Sequence, residues 1–92
     1  MTKTNKMKPT QNEIYQCAVK RGKVTERTVR KHFLDAIASE LIELARTSQY
    51  NREEDFELAD IVLVCYSMAQ HNGIDLDKAI EIKHNYNLTR KD

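Results

Sequence analysis

The chain has no tryptophan, one proline, two glycines and two cysteines. So little glycine and proline excludes collagen-like and low-complexity classes and leaves scant material for the turns of a β-sandwich. Cys17 and Cys65, with no secretion signal, give no disulfide framework to expect, and a reduced, cytoplasmic protein is the default. No apolar run approaches the roughly 18 residues a spanning helix requires, so no membrane segment is expected. Residues 1–10 carry lysines with no apolar stretch behind them, unlike a secretory leader.

What is present suffices for one domain. Of 92 residues 40% are hydrophobic, enough for a core, but a core this small is often completed by a partner subunit. The formal charge of +1 conceals an uneven distribution. Residues 1–31 hold nine Lys/Arg against Glu13 and Glu26, a local +7. Residues 40–60 hold seven acids against Arg46 and Arg52, a local −5. Most of these charges read as solvated helix faces. Four of the acids do not.

The apolar residues recur with helical period, and no strand-like alternation or internal repeat interrupts them. Residues 1–9 read as a flexible tail and 10–92 as a single all-α domain. Thr10 and Glu13 form a capping-box pattern that opens a first helix bearing Ile14, Cys17 and Ala18 on one face, ending near Gly22. Thr25 is placed to cap a second helix to about Thr47, with an apolar stripe of Val29, Phe33, Ala36, Ile37, Leu41 and Leu44. A polar loop over residues 47–52 leads to a third helix from about Glu53 to His71, whose acidic first turn complements the helix dipole. Asn72-Gly73 stops it, and Asp75 caps a fourth helix to about Leu88. The third helix is apolar on nearly every side, so it should sit at the centre of a four-helix bundle-like domain completed by homo-oligomerisation.

Glu40 projects into the stripe of the second helix between Phe33, Ile37 and Leu44, and Glu43 lies at its edge beside Ala36. In the third helix Asp60 projects between Phe56, Leu63 and Val64, with Glu57 as its i,i+3 neighbour. An unpaired buried carboxylate costs several kcal/mol, so each needs a cation or several hydrogen bonds. For one such acid an Arg or Lys from another helix is the simpler partner. Two inward pairs on adjacent helices instead form an oxygen donor set for a hard divalent ion, Mg²⁺ foremost, with Mn²⁺ as a substitute. On the fourth helix Lys83, Asn87 and Arg90 share a face with Leu76, Ala79 and Ile80. Cations there suit phosphate oxygens, or they merely complement the helix C-terminal dipole.

Glu40-Leu-Ile-Glu43, then Glu57-Leu-Ala-Asp60, then Asn72-Gly73-Ile74-Asp75 and Lys83-His-Asn-Tyr-Asn-Leu-Thr-Arg90 resemble the MazG-like nucleotide pyrophosphohydrolases of the all-α nucleoside triphosphate pyrophosphatase superfamily. The resemblance covers about residues 30–90. It implies that Glu40, Glu43, Glu57 and Asp60 are catalytic and ligate Mg²⁺, and that Lys83, Asn87 and Arg90 contact the substrate. It further implies cleavage of a nucleoside triphosphate between its α- and β-phosphates, and a homodimer or dimer of dimers with the site near the interface. Members often have two adjacent glutamates where this chain has Ser39 and Glu40. With no tryptophan, no base-stacking residue stands out, and Tyr15 reads as ordinary packing.

Two other readings carry different expectations. The basic segment 20–31 resembles a turn before a recognition-type helix that would attract a nucleic-acid backbone, but this leaves the inward acids unexplained. A catalytically silent helical scaffold would keep the fold without turnover. His32, His71 and His84 read as helix-surface residues, Cys17 and Cys65 as small buried apolar ones, and Tyr66 and Met68 as core or dimer contacts.

Overall fold

A computed structural model describes residues 8–47 and 52–91, and within them the chain is all-α. The helices are α1 (Gln11–Lys20), α2 (Arg30–Arg46), α3 (Arg52–His71) and α4 (Leu76–Thr89). The loop expected over residues 47–52 and the tail over 1–9 fall largely outside the described residues.

Local chemistry explains the helix ends. Thr10 accepts from the Glu13 N–H at 3.1 Å, and the Glu13 carboxylate accepts from the Thr10 N–H at 2.8 Å, completing the capping box of α1. Asp75 caps α4 by accepting from the Lys78 N–H. α1 and α3 end alike. Gly22 and Gly73 take φ of 75° and 72°, Lys23 N–H returns to Ala18 and Ile74 N–H to Ala69. Both are Schellman turns, in which only glycine takes the left-handed position without strain.

α2 starts later than the period predicts. Its N-cap is Val29 and not Thr25. The Thr28 hydroxyl accepts from the Thr25 N–H, and the Thr25 hydroxyl accepts from the Arg27 N–H. These local bonds hold residues 25–28 in a turn that competes with helix. Val29 is 66% exposed, so no burial favours the extra turn.

α3 is central as expected, touching each of the other helices. Around it Ile14, Val24, Phe33, Tyr66 and Ala69 form the buried core. Leu41, placed in the α2 stripe by its spacing, is instead exposed, and so is Cys17, expected to be buried. Helical period locates a face, but which part of it is covered depends on the neighbouring helix. His71 is the reverse case. It is half-buried at the α3 end, its Nδ1 hydrogen-bonded to the Tyr15 hydroxyl at 2.8 Å and its ring 5.1 Å from that of Phe33.

Polar contacts anchor the start of α4. Gln11 Nε2 donates to the Ile74 carbonyl at 2.6 Å and to Gln70 at 2.9 Å, while Gln11 Oε1 accepts from the Leu76 N–H at 3.0 Å. The buried Tyr66 donates its hydroxyl to Asp77. Beyond that root every α4 residue is exposed, Ile80, Ile82, Tyr86 and Leu88 included. The radius of gyration is accordingly 15.2 Å, against about 12 Å for a compact chain of this length.

Candidate functional site

The acids that broke the apolar pattern meet where α2 packs on α3. Glu40, Glu57 and Asp60, all half-buried, each offer an oxygen within 4.8 Å of the others. Two helical turns place them: Glu40 is carried by the α2 face that holds Phe33, and Glu57 and Asp60 lie one turn apart on α3. Glu57 Oε2 is buried and has no hydrogen-bond partner among the described residues. A buried carboxylate oxygen without a partner is costly, and among the described residues no cation pairs with it.

The electrostatics follow from this crowding. Burial pushes the Glu40 carboxyl above its ordinary value, Asp60 and Glu43 push it further, and Lys23 opposes them. Glu57 is raised in the same way, first by desolvation and then by the charges of Asp60, Glu40, Glu43 and Glu53. Glu43 is therefore near enough to be felt by both, although it is exposed and outside the three that converge. Such a donor set, all oxygen and rich in negative charge, fits a hard divalent ion, and the orphaned Glu57 oxygen is an open ligand position for one.

Glu40 and Asp60 also line a cavity of about 670 Å³, in the range typical of small-molecule sites. Phe33, Val24 and Ile14 supply its apolar wall, and Ser39 lies on it beside Glu40. Arg21, Lys23 and His32 line it too. In the sequence Arg21 and Lys23 read only as part of a basic segment, and His32 as a helix-surface residue. The missed signal was Gly22, since a Schellman turn there folds the following residues back across the core.

The cations of α4 are elsewhere. Lys83 and Asn87 line a separate shallow groove of about 430 Å³ along α4, Lys83 sits 4.7 Å over the Tyr86 ring, and Arg90 is the C-cap of the helix. None of the three lines the cavity that holds Glu40 and Asp60. Within one chain, then, the carboxylates converge and the α4 cations do not join them.

A family model described as phosphoribosyl-ATP pyrophosphohydrolase matches residues 6–87, nearly the whole chain. No curated protein and no solved structure gives a significant match.

Proposed function

We propose, from the premise that this chain belongs to the phosphoribosyl-ATP pyrophosphohydrolase family, within the MazG-like all-α superfamily, that it is a Mg²⁺-dependent hydrolase of nucleoside triphosphates or their phosphoribosyl adducts. The bond broken is the anhydride between the α- and β-phosphates, giving a monophosphate and pyrophosphate. The observation that carries this reading is the trio of Glu40, Glu57 and Asp60 around a buried, unpartnered oxygen.

Those three carboxylates would hold the ion, which supplies charge neutralisation of the phosphates and a water of lowered pKa. Glu43 adds a fourth carboxylate and, being exposed beside the three, is the residue free to orient the attacking water. Lys83, Asn87 and Arg90 are assigned to the substrate phosphates of a second copy. What supports this is the bare α4, whose apolar residues have almost no neighbours in their own chain, so a homodimer or dimer of dimers would cover them and deliver the cations. The two cysteines are unpaired, as in a reducing setting such as the cytoplasm, and among the described residues no helix is long and apolar enough to cross a membrane.

The test is product chromatography after incubation with Mg²⁺ and either ATP or phosphoribosyl-ATP. Pyrophosphate and a nucleoside monophosphate are expected, with turnover lost in Glu57→Gln and Asp60→Asn while helical circular dichroism persists. Without metal both variants should melt no lower than the parent, because repulsion among the acids is relieved. Orthophosphate and a diphosphate as primary products would overturn the reading.

A further inference from the structure

Glu40 and Asp60 account for one part of the 670 Å³ cavity; Arg21 and Lys23 line it too, together with Glu13, His32, Ser39 and Ser67. We propose that Arg21 and Lys23 bind the polyphosphate of the substrate from the α1–α2 turn of the same chain, an inference that rests on the pyrophosphohydrolase reading.

Both side chains line the cavity that Glu40 and Asp60 line. Among the described residues neither forms a hydrogen bond or ion pair through its side chain, although Lys23 is near enough to oppose, in small part, the rise of the Glu40 carboxyl. A cation beside an acidic cluster that stops short of pairing with it is placed to meet a third group. Their backbones are held in place. Arg21 N–H bonds to Cys17 at 3.0 Å and Lys23 N–H to Ala18 at 2.9 Å, through the turn that Gly22 permits. Little main-chain order therefore has to be gained on binding, which favours affinity.

The ligand follows from charge. A nucleoside triphosphate carries more negative charge than one divalent ion neutralises. Arginine meets the remainder as a planar bidentate fork and lysine as a point charge. Val24 and Phe33 lie along the apolar side of the same cavity. Bare carboxylates repel an anion, so its attraction comes from an ion held by the trio and from Arg21 and Lys23.

The exposed Cys17 lines this cavity and serves as a reporter. In a Cys65→Ser background, Mg²⁺-pyrophosphate should protect Cys17 from alkylation. By calorimetry, Arg21→Ala and Lys23→Ala should each weaken pyrophosphate about 10-fold or more and abolish protection at the same ligand concentration. Arg21→Lys should recover only part of the affinity, since the fork is lost. Mg²⁺ affinity measured alone should not fall in Lys23→Ala, because a cation next to the donor set has been removed. Both residues are exposed, so the variants should keep the helical spectrum of the parent. Failure of pyrophosphate to bind the parent chain, or unchanged affinity and protection in both alanine variants, would overturn the proposal. Binding through Arg21 and Lys23 with no nucleotide turnover would sink the hydrolase reading and leave this one standing. Normal turnover in both variants would do the opposite.

Discussion

The α1–α3 body and the α4 helix are built on different principles. In the body, Phe33, Tyr66, Ile14 and Val24 are shielded by neighbours, and helix ends are closed by capping and Schellman bonds. α4 has a well-made cap at Asp75 and two bonds to Gln11 at its root, then runs out with both faces exposed. Burial holds the first and hydrogen bonding starts the second. The difference teaches that a helix can be specified locally in length and phase while the described residues of its own chain leave its sides uncovered.

The sharpest way to break this comparison is to damage each region in turn. Phe33→Ala should cost about 3–5 kcal/mol in denaturant unfolding at any protein concentration, the usual result for a large buried ring. Ile82→Asp on α4 should leave the dilute protein within about 0.5 kcal/mol of the parent, as for an exposed position, and lower stability only where copies associate. Equal losses in dilute solution would mean that α4 belongs to the body. Sedimentation of the parent as a 10.7 kDa monomer with full activity at micromolar concentration would remove the partner.

A smaller effect isolates the joint between the regions. Gln11→Ala removes contacts to Ile74, Gln70 and Leu76 together. The expected loss is about 1–3 kcal/mol, with part of it from the Leu76 N–H left unpaired. Hydrogen exchange should quicken in the first turn of α4 and hardly change in α2. Uniform acceleration through all helices would show that the two regions open as one.

The smallest expected effect is electrostatic and confined to the body. Glu40 and Glu57 have carboxyls raised above their unfolded values. Between the ordinary carboxylate pKa and those raised values the folded chain binds more protons than the unfolded one. Stability of the metal-free protein should therefore fall as pH rises through that window. Mg²⁺ should reverse the trend above it by binding only the folded state. Thermal melts from about pH 4.5 to 7, with chelator and with Mg²⁺, read this directly. A metal-free melting temperature that rises across the window would show the acids to be paired.

Much of this was legible in the sequence, and the reasons are physical. Thr10 with Glu13, and Asp75 before α4, act over three residues, so spacing alone reveals them. Glu40, Glu57 and Asp60 stood out because helical period is enough to put a charge on an apolar face. The start of α2 was misread because Thr25 and Thr28 serve a turn as readily as a cap. His71 reads as a surface residue in the sequence because its partners, Tyr15 and Phe33, come from two other helices. Arg21 and Lys23 fell inside a basic stretch whose path depends on the Gly22 turn and the buried Val24 behind it. Local signals were read correctly where local forces decide, and missed where the third dimension does.

The Gln11 clamp has a mechanical meaning. α4 is 14 residues long, a rigid arm of about 21 Å fixed at one end. A tilt of roughly 10° at that pivot would carry the far tip about 4 Å, more than the length of a hydrogen bond. The pivot side chain springs from the first turn of α1, the helix whose opposite end bears Arg21. A shift of α1 that carried Gln11 with it would be magnified along the arm, and Lys83, Asn87 and Arg90 stand at increasing distance from the pivot.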